Sequence, residues 1–151
     1  LIGYNTDYFG FKKSIEPHLK SHHKKALILG TGGASKAIVY ALKKLGIDYK
    51  YVSRKATGSD VFTYATLTEN DIKAYQIIVN CTPLGTYPKT NEYPDIPYDA
   101  IDKTHLVFDL IYNPEESKFL TIAKLKGATI CNGSKMLEQQ AEKAWRIWQK
   151  C

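Results

Sequence analysis

The segment Lys25-Ala-Leu-Ile-Leu-Gly-Thr-Gly-Gly-Ala-Ser-Lys-Ala37 constrains the fold more than any other, because an apolar run breaks into clustered glycines and then resumes with helix formers. That order predicts a buried strand, a tight turn and a helix. Gly30, Gly32 and Gly33 let backbone amides approach a pyrophosphate with no side chain in the way. A helix starting there adds unpaired N–H groups and the positive end of its dipole. The dinucleotide fingerprint is Gly-x-Gly-x-x-Gly, whereas here Ser35 stands at the third position and Gly33 is additional. A glycine-rich turn without a ligand is the competing reading; the strand before it and the helix after it favour the phosphate.

Gly46 stops the helix expected over 34–45, and Asp48-Tyr-Lys-Tyr-Val-Ser53 then reads as a second strand, completing a βαβ unit. At the tip of such a strand, roughly 20 residues beyond the glycines, an acidic residue would accept hydrogen bonds from a free ribose 2′-hydroxyl. This chain has Ser53-Arg54-Lys55 instead. A hydroxyl and two cations suit a 2′-phosphate, since guanidinium binds phosphate bidentately and stays charged, so NADP is expected over NAD. The alternative is that Arg54 and Lys55 are solvated loop cations.

Further along, a helix is expected over 6–19, with Phe9, Phe11, Ile15 and Leu19 inward and Pro17 near its end. A helical turn over 69–74 precedes a buried strand over 76–80, and the stretch from there to Pro97 reads as a long loop. A strand over 106–110, an amphipathic helix over 117–126, a short strand over 128–131 and a helix over 134–149 complete the chain. Met136, Leu137, Ala141, Ala144, Trp145 and Trp148 form the apolar stripe of that last helix. The alternation predicts one α/β domain over 1–151, a Rossmann-like doubly wound parallel sheet with helices on both faces.

Composition narrows the function classes. At 151 residues, 44% hydrophobic and 24% charged, the chain is expected to be a globular cytoplasmic protein. It has no apolar run of the ~20 residues a membrane helix needs, and no signal-peptide pattern opens it. The odd set Cys81, Cys131 and Cys151 lacks metal-ligand spacing and is expected to be reduced, and His18, His22, His23 and His105 show no ligand pattern; no metal is expected. A net charge of +6, with Lys12, Lys13, Lys20, Lys24 and Lys25 near the start, raises a nucleic-acid partner. No aromatic-interleaved basic stripe turns that attraction into a site, so none is expected.

Five strings stand at expected strand or helix ends: Asn5-Thr-Asp7, Gly30-Thr-Gly-Gly-Ala-Ser35, Asn80-Cys-Thr-Pro-Leu-Gly85, Asp109-Leu-Ile-Tyr-Asn-Pro114 and Gly133-Ser-Lys-Met-Leu-Glu-Gln-Gln-Ala141. In this order and spacing they resemble the carboxyl-terminal, NADP-binding half of the shikimate dehydrogenases, over essentially the whole chain. The resemblance implies NADPH-dependent reduction of 3-dehydroshikimate to shikimate, a step of aromatic amino-acid biosynthesis. It makes Asp7 the catalytic aspartate, bonded to a ring hydroxyl of the substrate and working beside a lysine. Gly30, Thr31, Gly32, Gly33 and Ala34 match the diphosphate loop, and Ser53 and Arg54 the start of the 2′-phosphate clamp. Thr82 matches a residue near the nicotinamide ribose, Leu110 and Gly133 positions at the nicotinamide, and Tyr112 and Gln140 residues facing shikimate.

Departures from the family pattern are specific. Ser53 replaces an asparagine, Gly58 falls where a second basic residue is usual, with Lys55 as the nearest substitute, and Tyr8 stands where many members have glycine. The family carries its catalytic lysine and most substrate contacts in an amino-terminal lobe, which a chain opening at Leu1 is expected to lack. The chain is therefore expected to be a cofactor-binding half that shares its small-molecule substrate with that lobe and turns over little alone. An NAD-using quinate/shikimate dehydrogenase and a non-catalytic nucleotide-binding module are the alternatives, and a homodimer is among the assemblies left open. Read without the family, Asp7 is a helix cap, Tyr112 packs a turn and Gln140 is an exposed helix residue.

Overall fold

The computed structural model describes residues 2–55 and 58–150, with side chains from residue 6 onward. Its elements are α1 (Ile2–Ile15), β1 (Lys25–Leu29), α2 (Gly33–Lys44), β2 (Asp48–Ser53), β3 (Val61–Thr63), α3 (Glu69–Ala74), β4 (Ile77–Asn80), β5 (Leu106–Asp109), α4 (Lys118–Leu125), β6 (Thr129–Cys131) and α5 (Ser134–Gln149). The six strands form one sheet in the order β3-β2-β1-β4-β5-β6, every pairing parallel. All four residues of β4 and of β5 are buried, the signature of strands covered on both faces.

Alternation of side chains divides the core in two. Ala26, Ile28, Ile77, Val79 and Phe108 pack with Phe11 and Ile15 of α1, Ile38 and Leu42 of α2 and Met136 of α5. Leu27, Leu29, Ile78 and Val107 face the other way, onto Ile72 of α3 and Phe119, Leu120 and Ala123 of α4. The expected doubly wound architecture is the one observed.

Several boundaries differ from the sequence reading. α1 stops at Ile15 and a single 3-10 turn, Glu16–His18, follows, because Pro17 has no N–H to continue the helical ladder. Phe11 and Ile15 are buried as expected, whereas Phe9 and Leu19 are half-buried. The stretch after Arg54 contains a strand that its sequence hid. Val61-Phe-Thr63 is too short to show a period, and it is a strand because Tyr51, Val52 and Ser53 of β2 offer it a free edge. The stripe assigned to α5 is also corrected. Met136 is buried, but Leu137, Trp145 and Trp148 are 44%, 55% and 69% exposed. The residues that are covered besides Met136 include Gln140, Ala144 and Ile147, which share its helical face; the stacked Trp145–Trp148 pair lies on an adjacent one.

Where α1 crosses α5 the two backbones nearly touch. A β-carbon on Gly10 would sit 2.6 Å from the carbonyl oxygen of Met136 and 2.7 Å from Cγ of Gln140. Gly10→Ala is therefore expected to destabilise the fold by about 2 kcal/mol, since the partner is rigid helix backbone. Thermal unfolding of the variant checks this; an unchanged midpoint would mean the helices separate freely.

Candidate functional site

Strand order reverses between β1 and β4, and in open parallel sheets the crevice at the carboxyl ends of such a strand pair receives ligands. The chain leaves β1 through Gly30, at φ +100°, a conformation that needs glycine. Its N–H donates to Val52 O at 2.9 Å, and a β-carbon would meet Thr82 Cγ2 at 3.0 Å. Gly32 and Gly33 differ. Neither has positive φ, and a β-carbon on either would meet nothing within 4 Å. No packing or backbone requirement of the described residues calls for glycine at these two positions. The open space lies over the amide end of α2, which no side chain caps. A group of phosphate size fits there, approached by bare backbone.

Ser35, standing in for the fingerprint's third glycine, is wholly buried. Its hydroxyl donates to Gly32 O at 2.6 Å, so the side chain closes the turn on itself.

Two adjoining cavities run along this edge of the sheet. The first, of about 420 Å³, takes Gly30, Thr31 and Gly32 from the glycine turn, Ser53 and Arg54 from the tip of β2, and Tyr64 from just beyond β3. The second, of about 460 Å³, is formed by Ala34, Thr86 and the β5 exit, Leu110, Ile111, Tyr112 and Asn113. Cys81, Thr82 and Pro83 wall both cavities, joining them into one groove.

A buried polar brace holds that shared wall. Asn80, at the end of β4, accepts from the Thr82 N–H at 3.0 Å and the Thr82 hydroxyl at 2.6 Å. Its amide donates to Asp109 Oδ1 at 3.1 Å, which also accepts from the Ile111 N–H at 3.0 Å. Asp109 Oδ2 accepts from the Ser117 hydroxyl at 2.5 Å, the side chain that caps α4. Burial pushes the Asp109 carboxyl up to about 6, against the pull of these three donors. Asn80 and Asp109 thus carry no ligand-facing atoms of their own; they set the positions of Thr82 and Ile111, which do line the groove. Burial also raises the Cys81 and Cys131 thiols, Cys131 to about 11, which disfavours the nucleophilic thiolate at both, and neither is in a disulfide. Cys151 lies outside the described residues.

The sequence-derived site residues are largely brought together. Gly30, Thr31, Gly32, Ser53, Arg54 and Thr82 share the first cavity; Ala34, Leu110 and Tyr112 share the second with Thr82. Gly33 opens α2 beside them. Gly133 abuts the second cavity from below, its N–H donating to Ile111 O at 3.0 Å and a β-carbon there falling 2.0 Å from Leu110 O. Asp7 and Gln140 meet across the α1–α5 crossing, the Gln140 amide donating to Asp7 Oδ1. Burial raises the Asp7 carboxyl above its ordinary range, and the Gln140 bond opposes that. Lys55 is exposed and lines neither cavity. Tyr64, Asn80 and Asp109 had no role assigned from sequence. For the last two the signal was present, a polar residue closing an otherwise apolar strand; for Tyr64 it depended on a strand too short to see.

The fold defines a class, the Rossmann-like α/β domains. Comparison with known proteins takes this further, although no family model matches the chain. It is 40% identical over its full length to the shikimate dehydrogenase (NADP(+)) of Clostridium beijerinckii, and 43% identical over 98% of its length to that of Clostridium botulinum. A crystal structure of a chorismate mutase/shikimate 5-dehydrogenase fusion protein from Clostridium acetobutylicum superposes with a TM-score of 0.83 at 33% identity, over 97% of this chain and 54% of that one. These proteins are homologous to the chain over the region it spans, which is 58–60% of the length of the first two relatives. Among the described residues no helix is long and apolar enough to cross a membrane.

Proposed function

We propose that the chain is the NADP-binding half of a cytoplasmic dehydrogenase that reduces 3-dehydroshikimate to shikimate. One observation carries this: a single cavity joins the bare glycine turn at the amide end of α2 to the Arg54 guanidinium at the tip of β2. The amides of residues 30–34 would hold the diphosphate and Arg54 the 2′-phosphate, with Ser53 beside it. Thr82, Leu110 and Gly133 would frame the nicotinamide end, and Tyr112 would face the substrate. When bound, the cofactor supplies the hydride. Asp7, held by Gln140, orients a substrate hydroxyl and acts beside a lysine that we assign to an amino-terminal lobe outside this chain. On this division of labour the chain alone binds nucleotide and turns substrate over poorly or not at all.

Calorimetric titration with NADPH and NADH tests the reading. Tighter binding of NADPH is expected. Arg54→Ala should weaken NADPH about 10- to 100-fold, the range of a charge-assisted bidentate contact, and leave NADH unchanged. Equal affinities in the unsubstituted chain would favour an NAD-using quinate/shikimate dehydrogenase. Failure to recover turnover when a relative's amino-terminal lobe is added would favour a non-catalytic nucleotide-binding module.

A further inference from the structure

Beside Arg54 in the first cavity stands a residue that the reading above leaves without a task. Tyr64 follows β3 directly, and its N–H donates to Ser53 O at 3.3 Å, so its backbone is tied to the residue preceding Arg54. Its half-buried ring packs on the apolar cluster that includes Val52 and Leu67. Neighbouring aromatic rings on this side of the sheet are paired edge to face, Phe62 with Tyr75 and Tyr98 with Phe119. Tyr64 has no such ring partner among the described residues, and it lines the cavity that Arg54 also lines. Pro83 and Leu84, both apolar, contribute to the same cavity.

A slot bounded by an unpaired aromatic ring and aliphatic walls, next to a guanidinium at the ribose position, has the chemistry of a purine site. We infer that Tyr64 is the stacking surface for the adenine base, and so fixes how the adenosine half is held while Arg54 holds its 2′-phosphate. Base–aromatic stacking uses the π-face and not the hydroxyl, so phenylalanine serves as well as tyrosine. The inference rests on reading the groove as a dinucleotide site.

Three probes separate the two claims: NADPH, adenosine 2′,5′-bisphosphate, which has the adenosine end only, and reduced nicotinamide mononucleotide, which lacks it. Tyr64→Leu keeps an apolar side chain against the cluster while removing the ring. It is expected to weaken NADPH and the bisphosphate by the same factor, about tenfold, and to leave the mononucleotide unchanged. Tyr64→Phe should retain affinity for all three within about twofold. In proton NMR, the adenine H2 and H8 signals of the bound bisphosphate should move upfield with the native chain and with Tyr64→Phe, and lose that displacement with Tyr64→Leu. Unchanged bisphosphate affinity and an unchanged adenine shift in Tyr64→Leu would overturn the stacking role while leaving the groove assignment intact. No binding of NADPH or the bisphosphate to the unsubstituted chain would overturn the groove assignment and the inference together.

Discussion

Asp109→Ala is expected to lower stability by about 4 kcal/mol, the largest single-residue effect in the molecule outside its apolar core. The substitution removes the acceptor for three donors, Asn80, Ile111 and Ser117, all of them in buried residues. Each orphaned donor costs about 1–3 kcal/mol, and partial relaxation recovers some of the sum. In a domain of this size the thermal midpoint should fall on the order of 10 °C. Cofactor affinity should fall as well, because Thr82 is positioned through Asn80 and the Ile111 backbone through Asp109 itself. An unfolding midpoint within a degree or two of the native one would show that the brace is not structural.

The same group sets a pH dependence with a definite sign. The folded-state pKa of Asp109, about 6, lies above the ordinary 3.8, so the folded chain binds this proton more tightly than the unfolded chain does. Its contribution to stability is therefore full below about pH 4 and lost as pH rises through about 6, a swing on the order of 2–3 kcal/mol. Asp109→Asn preserves the shape and removes the titration. Its stability profile should be flatter than the native one between pH 4 and 7, measured by denaturant unfolding across that range.

Gly133→Ala is the second large effect expected. A β-carbon there would lie 2.0 Å from Leu110 O and 2.7 Å from the Leu110 carbonyl carbon, and no side-chain rotation relieves a clash with backbone. The β5 exit must shift by more than 1 Å to reach ordinary contact, at a cost of about 3 kcal/mol. Because Leu110 and Ile111 line the second cavity and not the first, the damage to binding should be lopsided. Affinity for NADPH is expected to drop more than tenfold, while adenosine 2′,5′-bisphosphate, confined to the first cavity, binds nearly as before. Equal losses for both ligands would mean that the distortion spreads through Thr82 into the adenosine half.

Much of this site is local in sequence, which is why it was legible. The glycine turn, Arg54 after β2 and the polar residues closing β4 and β5 each sit at the end of a hydrophobic run, and a parallel sheet brings all such ends to one edge. The pairing of Asp7 with Gln140 spans 133 residues, and no periodicity announces it; only the family resemblance marked both residues. α5 misled for a related reason. Its apolar residues occupy two adjacent faces, and pattern alone cannot say which face meets α1; the close approach at Gly10 decides that Met136, Gln140 and Ala144 turn inward and the tryptophans outward. Ser35 looked like a defect in the fingerprint and is a hydrogen-bonded closure of the turn.

Local chemistry along the chain determined that strands alternate with helices, with a parallel sheet as the outcome, and that a bare glycine turn is followed by a guanidinium at the next strand tip. Tertiary structure alone decided that β3 exists, that Tyr64 stands in the same cavity as Arg54, and that Asp109 governs Thr82 from the neighbouring strand. The physical reason is distance along the chain. Propensity and period act over a few residues, whereas edge pairing, cavity walls and buried hydrogen bonds join residues whose separation in sequence carries no mark of their contact.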